Sequence, residues 1–202
     1  MNNDFIYHTL CVKVVYFNCV IWRKVRIPFY TKKVILMVVL YYGTLHSVLG
    51  NLYVVASDEG IVYIGTPDAP FEEVEGWAKK KFTTYTFEEN RKKVAPYIDQ
   101  LEAYFKGELR EFDVPIYVKG TPFQQAVWDA LKELPYGTTT SYSAIAERVG
   151  SPKAVRAVGA AIGANPILAI IPCHRVIGKN GKLTGFRSGI PMKEFLLQLE
   201  HK

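Results

Sequence analysis

The clearest hydrophobic pattern lies in the second half of the chain, where Phe123, Val127, Leu131 and Leu134 recur at the spacing of one helical face. Thr121 can cap that helix, Pro122 suits its first position and Gln124 completes a capping box, so a helix is predicted over about 121–134. Pro135-Tyr136-Gly137 turns the chain, Ser141 begins a short helix to about Val149, and Gly150-Ser151-Pro152 ends it. A second helix is expected to open on a Ser151 cap and to stop at Gly163, before Asn165-Pro166. The resulting order is helix, tight turn, helix. Ile167–Ile171 is a continuous apolar run, predicted as a buried strand that leads into Pro172-Cys173-His174-Arg175-Val176. Gly178-Lys179-Asn180-Gly181 reads as a turn and 185–189 as a loop. From about Pro191 a last helix buries Met192, Phe195, Leu196 and Leu199 and carries the carboxylates Glu194 and Glu200.

Upstream, Leu52–Ser57 and Ile61–Gly65 read as two strands joined by a tight turn at Asp58-Glu59-Gly60. Val94, Ile98, Leu101 and Phe105 define an amphipathic helix over roughly 89–107, with Pro96 a mark against its first turn. Residues 108–120 read as an extended connection. Residues 1–36 are rich in β-branched and aromatic side chains but do not alternate, so no element is assigned to them. Met37, where the orderly pattern begins, is a candidate translation start. The division predicted is an extension of unassigned role over 1–36, a small α/β domain over 37–115 and a helical domain over 116–202.

With 202 residues, 49% of them hydrophobic and 22% charged, the chain has material for a sizeable core, which excludes a collagenous or wholly disordered protein. Its cysteines, at 11, 19 and 173, are odd in number and follow no metal-ligand spacing, so a reducing compartment with no structural metal is expected. The apolar runs Val34–Tyr42 and Leu10–Trp22 are too short or too interrupted to span a bilayer, and no signal peptide is evident. An intracellular protein without a membrane partner follows. The net charge of +6 divides as +5 over 1–36, −4 over 37–119 and +5 over 120–202. A basic C-terminal module attracts polyanions such as nucleic acid, although a solvated basic face gives the same count.

The predicted helix Ala154–Gly163 is nearly bare of large side chains, with Arg156 as its one long polar projection. Such a surface either permits close helix packing or lets backbone approach a nucleic-acid groove. Cys173, lying between a proline and a His-Arg pair, is the candidate nucleophile, since cationic neighbours favour the thiolate and His174 can serve as a base. The other reading is a small buried hydrophobe. Adjacent residues in an extended chain point opposite ways, so adjacency alone does not make a catalytic pair. A glutamate held near His174 would orient the imidazole.

Together, Ile171-Pro172-Cys173-His174-Arg175-Val176, the preceding Asn165-Pro166, the Arg156 helix with Tyr142, the Gly185–Gly189 loop and Lys193-Glu194-Phe195-Leu196-Leu197 resemble the O6-alkylguanine-DNA alkyltransferases, also called methylated-DNA-protein-cysteine methyltransferases. The resemblance is dense over about 121–200 and looser over 37–120. It implies an α/β fold: a small N-terminal ribonuclease-H-like domain, then a mostly helical domain with a winged-helix-like helix-turn-helix. It also implies direct repair without a cofactor, on double-stranded DNA carrying O6-alkylguanine, by a cytoplasmic (in a eukaryote, nuclear) monomer that is consumed in one turnover. O4-alkylthymine is left open as a second lesion. By position, Cys173 accepts the alkyl group, His174 is the water-mediated base, Glu200 supports His174, and Asn165 is the hinge that ties the recognition helix to the site. Arg156 fills the stack vacated by the flipped nucleotide and Tyr142 contacts that base. The carbonyls of Cys173 and Val176 read the guanine amino group, and a backbone amide in the 185–189 loop donates to O6. Arg187 stands where some members have serine, and its extra charge is expected to alter loop mobility or DNA affinity. The rival readings are a non-catalytic helix-turn-helix regulator or lesion sensor, and a Cys-His hydrolase, which leaves the Arg156 helix unexplained.

Overall fold

The computed structural model describes the backbone of residues 8–16, 19–27 and 37–201, with side chains from 37 to 201. Residues 1–38 and 39–202 form two compact units. In the first, strand β1 (His8–Tyr16) pairs antiparallel with β2 (Cys19–Ile27), in a register running from His8 opposite Ile27 to Tyr16 opposite Cys19. No element was assigned here from the sequence. The density of valine and isoleucine supplies the β-propensity that the missing alternation concealed.

The larger unit begins with a four-stranded sheet of order β5-β4-β3-β6. Its strands are β3 (Val38–Ser47), β4 (Gly50–Ser57), β5 (Gly60–Ile64) and β6 (Tyr85–Glu89), with β3, β4 and β5 antiparallel in sequence. Helix α1 (Glu72–Lys81) connects β5 to β6, and α2 (Arg91–Phe105) follows. The Asn90 side chain caps α2 by accepting from the Lys93 amide at 3.2 Å. The predicted face is present: Val94, Ile98, Leu101 and Phe105 are buried, joined by Tyr97 and Tyr104. Pro96 is accommodated inside α2 on the exposed side.

Strand β5 is buried along its whole length. Its free edge is closed by the chain at 115–117: the Ile61 amide donates to the Pro115 carbonyl and the Tyr117 amide to the Ile61 carbonyl, both at 2.9 Å. Covering the edge satisfies backbone groups that would otherwise be buried unpaired. Gly60 makes the approach possible, because at φ 145° a Cβ would lie 2.5 Å from the Pro115 oxygen.

The helical part comprises α3 (Pro122–Lys132), β7 (Thr140–Ser141), α4 (Tyr142–Arg148), α5 (Val155–Gly163), a 3-10 turn (Cys173–Arg175), β8 (Val176–Ile177) and α6 (Ile190–Glu200). The capping box of α3 is complete, with the Gln124 amide on Thr121 Oγ1 and the Thr121 amide on Gln124 Oε1. Ser141 caps α4 through the Ala144 amide. Trp128 of α3, fully buried, donates from Nε1 to the Ala161 carbonyl of α5 at 2.9 Å, which fixes the second helix of the helix-turn-helix against α3. The short strands β7 and β8 pair in parallel.

Two expectations are corrected. Helix α5 begins at Val155 on an Ala154 cap position with no side-chain cap, because the Ser151 carbonyl instead closes a turn on the Ala154 amide. Residues 167–171 are buried but form turns, not a strand, with Ala169 at φ 63°. The reason is Asn165: its Oδ1 accepts from the Ile167 amide and its Nδ2 donates to the Ile171 carbonyl, both at 2.9 Å. A side chain that satisfies both ends of the run removes the need for a strand neighbour. Among the described residues no helix is long and apolar enough to cross a membrane.

Gly60→Ala is expected to destabilise the protein by at least about 1 kcal/mol, because the added methyl meets backbone that cannot move without opening the β5 edge. A denaturant midpoint equal to wild type would refute this close-packing role.

Candidate active site

The chain leaves the Asn165–Ile171 turns through Pro172 and enters a single 3-10 turn, which buries Cys173, His174 and Arg175 together. Curling the chain here separates the three side chains differently from a strand. Asn165 Nδ2 reaches Cys173 Sγ at 3.1 Å. His174 Nε2 lies 2.8 Å from Glu200 Oε1. Arg175 presents Nε and Nη2 to the same carboxylate, at 2.9 Å and 2.7 Å, while Nη1 donates to the Leu134 carbonyl at 2.5 Å. Of the two C-terminal carboxylates, Glu200 is buried at the end of α6 and Glu194 is exposed.

Glu200 accepts two further bonds, from the Gly137 amide at 3.0 Å and from the Tyr104 hydroxyl at 2.5 Å. Burial raises its proton affinity, but the donors His174, Arg175 and Tyr104 outweigh burial and hold the carboxyl well below the usual carboxylate range. Burial pushes the His174 pKa down against the pull of Glu200, so the imidazole rests neutral. Its Nδ1 is buried with no hydrogen-bond partner among the described residues. Cys173 is 3% exposed, and burial pushes its thiol up; the Asn165 amide and the positive charges of Arg187 and Lys193 offset this only in part. Cationic neighbours were expected to favour the thiolate. In the structure burial prevails, so the sulfur rests as a thiol and needs a base.

The remaining sequence candidates are Val176, Tyr142, Arg156 and Arg187. Val176, fully buried, pairs with Thr140 and offers its carbonyl to Lys193 Nζ at 2.6 Å. Lys193 also donates to the Thr184 carbonyl at 3.1 Å, which accepts from the Tyr142 hydroxyl at 3.0 Å. Tyr142 is half-buried, and its ring lies 3.8 Å from where a Cβ on Gly159 would stand, so the small residues of α5 admit it. Arg156 is exposed on α5 beside Val155, Ala157 and Ala160, while Val158, Ala161 and Ile162 face the core.

The extra charge of Arg187 is engaged within the protein. Its Nη1 donates to the Tyr63 hydroxyl at 2.8 Å and approaches Glu73 Oε1 at 3.4 Å, and Nη2 donates to the Ile64 carbonyl at 2.6 Å. The Ile64 amide in turn donates to the Pro166 carbonyl at 2.9 Å. One residue at the end of β5 therefore fastens both the Asn165 hinge and the 185–189 loop. Among the described residues no group of three or more His, Cys, Asp or Glu is placed to hold a metal ion.

Sequence reasoning missed Tyr104, Arg175, Lys193 and the Tyr63-Glu73 anchor. Tyr104 left one usable signal: it lies on the apolar face of α2 three residues after Leu101, where a buried phenol requires a partner. Lys193 left none.

The chain matches known proteins over about four fifths of its length. Residues 40–118 match the ribonuclease-like domain of the 6-O-methylguanine DNA methyltransferases, and residues 122–202 match their DNA binding domain. An inducible methylated-DNA–protein-cysteine methyltransferase of Bacillus subtilis (strain 168) is 48% identical over 163 residues, 81% of this chain and 91% of the relative. A methylated-DNA–protein-cysteine methyltransferase of Methanosarcina acetivorans is 47% identical over 161 residues, 80% and 98% of the two chains. The crystal structure of Mycobacterium tuberculosis OGT in complex with DNA superposes with a TM-score of 0.68 at 42% identity, covering 80% of this chain and 92% of that one. A helix-turn-helix beside a buried Pro-Cys-His-Arg turn, on a ribonuclease-like sheet, places this chain in the 6-O-methylguanine DNA methyltransferase family.

Proposed function

We propose that this protein repairs DNA directly, moving an alkyl group from guanine O6 to Cys173 in one irreversible turnover without a cofactor. The observation that carries the reading is the buried Cys173 thiol, held by Asn165 next to a neutral His174 whose Nε2 is bound to Glu200 and whose Nδ1 has no protein partner. Such an imidazole is oriented and charge-supported at one nitrogen and basic at the other. His174 takes the thiol proton through a water, and the sulfur forms its bond to the alkyl carbon as the carbon–O6 bond breaks. The electron pair returns to the guanine, which recovers its ring proton. The S-alkyl cysteine has no route back, so the protein is consumed.

A sulfur only 3% exposed cannot meet a base stacked inside a duplex, so the nucleotide must be flipped out and inserted. The exposed small-residue face of α5 suits a close approach to the minor groove, with Arg156 entering the vacated stack and Tyr142 meeting the flipped base. The carbonyls of Cys173 and Val176 read the guanine amino group, with one Val176 lone pair held by Lys193. A backbone amide of the 185–189 loop donates to O6, and the fastening of Arg187 to Tyr63, Glu73 and Ile64 holds that loop in place. The working division is a ribonuclease-H-like domain over 37–115 and a DNA-binding, alkyl-accepting domain over 116–202. Double-stranded DNA carrying the lesion is the partner of a monomer.

Intact-protein mass after incubation with excess O6-methylguanine oligonucleotide is expected to rise by one methylene, saturating at one per chain and mapping to Cys173. Cys173→Ala should show no gain yet keep DNA binding. Retained binding by wild type without any mass change would favour a lesion sensor instead. Arg156→Ala is expected to slow repair of the duplex by about tenfold or more, a loss of at least about 1.4 kcal/mol out of the few kcal/mol that flipping costs, and to leave reaction with free O6-benzylguanine nearly unchanged. Equal slowing of both would remove Arg156 from the flipping step.

A further inference from the structure

Tyr104 sits on α2 in the sheet half of the molecule, seventy positions before His174 in sequence, yet its hydroxyl lies inside the relay. It is fully buried, with its ring 5.0 Å from that of Phe112 and edge-on to Tyr136 at 6.3 Å. The hydroxyl oxygen is 2.5 Å from Glu200 Oε1 and 3.3 Å from His174 Nε2. A phenol has one proton. Glu200 is a carboxylate saturated with donors and can only accept, so the Tyr104 proton goes to Glu200. What remains for His174 is the lone pair of the phenol oxygen. Both groups at Nε2 are therefore acceptors, and Nε2 must carry the hydrogen.

That settles the tautomer from the protein side. With Nε2–H forked between Glu200 and Tyr104, the lone pair of the imidazole lies on Nδ1, the atom without a protein partner. Burial, and then the Glu200 carboxylate, push the Tyr104 pKa far above the ordinary phenol value, so the hydroxyl stays protonated at any working pH. The charged and titratable groups facing His174 are Glu200 and Lys193 on α6, Cys173 and Arg175 on its own turn, and Tyr104 on α2. Of these, Tyr104 is the one neutral group that both donates to the carboxylate and accepts at Nε2.

We infer that Tyr104 is a positioning residue for the alkyl-transfer site: its hydroxyl fixes His174 in the Nε2–H tautomer and, by sharing the Glu200 charge, sets how readily His174 takes a proton. The inference deepens the reading of His174 as the base. Without the hydroxyl, Glu200 keeps more of its charge for His174, the imidazolium is favoured, and a base already protonated cannot accept from the thiol. The effect is thus confined to low pH. Loss of packing alone would slow the reaction at every pH.

The test is Tyr104→Phe in the full chain, which keeps the ring and removes the oxygen. Ring-nitrogen NMR of ¹⁵N-labelled protein follows His174, assigned by the signals lost in His174→Gln, and single-turnover rates with O6-benzylguanine are taken across pH. In wild type the Nε2–H tautomer is expected; the Nδ1–H form would overturn the inference even if the variant did not fold. In Tyr104→Phe the His174 titration is expected to move up by about one pH unit, with transfer about tenfold slower on the acidic limb and within about twofold of wild type above it. A His174 titration that stays in place, or a uniform loss across pH, overturns it. A titration that moves while the rate profile does not would uphold the positioning role and refute His174 as the base.

Discussion

The fold of the site depends on one buried negative charge. Glu200, the last residue of α6, receives Arg175 side-on, His174, the Tyr104 hydroxyl and the Gly137 amide. A carboxylate removed from water this completely is tolerable only if every lone pair is met, and a pair built this way is costly to break because the survivor is left uncompensated. The four partners come from α2, from the turn before β7 and from the Cys173 turn. Satisfying one charge therefore holds these segments to the end of the last helix. The proposed nucleophile gains from that fixity, since among the described residues Cys173 takes one side-chain hydrogen bond, from Asn165.

A second constraint acts at the end of β5. Ile64 bonds Pro166 through its amide and Arg187 through its carbonyl, so the hinge before the nucleophile and the loop after it are set against the same residue. Glu73 supports the arrangement from α1, where it also accepts from the Thr66 amide at 2.9 Å and the Thr66 hydroxyl at 2.6 Å. The Tyr63 hydroxyl that meets Arg187 belongs to a ring stacked on Trp77 at 4.5 Å, and burial pushes its pKa up to about 12, so it meets the guanidinium as a neutral phenol. Through these contacts the sheet acts as the wall that fixes the far side of the site. The sheet domain thus shapes the surroundings of Cys173 from a distance in sequence.

What was legible in the sequence was local. The α3 capping box, the Ser141 cap and the apolar face of α2 are decided by neighbours within a turn or two, and they stand as read. The Pro-Cys-His-Arg segment was legible as chemistry through its resemblance to a family. The strand expected over 167–171 failed because apolar content reports burial without conformation, and Asn165 gave the backbone a local alternative to a sheet partner. The partners of Arg187, Tyr63 and Glu73, lie more than a hundred residues away, so nothing local in the sequence marks that contact. The same separation hid Tyr104, and nothing local marks Lys193 as fully buried on two carbonyls.

The resting state of Cys173 follows from these constraints and bears on the proposed single turnover, in which a nucleophile lost beforehand could not be replaced. A thiolate favoured by exposed cations would react with any electrophile or oxidant in reach. Burial instead holds the sulfur as a thiol, while Arg187 and Lys193 lie near enough to favour the charged form. The balance tips only when a proton acceptor acts on the thiol. His174 can do so because its own burial keeps it neutral and Glu200 stabilises the imidazolium once formed. On the proposed mechanism, separating the charge-supporting groups from the sulfur by one imidazole makes the nucleophile conditional: strong once His174 takes its proton, and held as a thiol by burial until then.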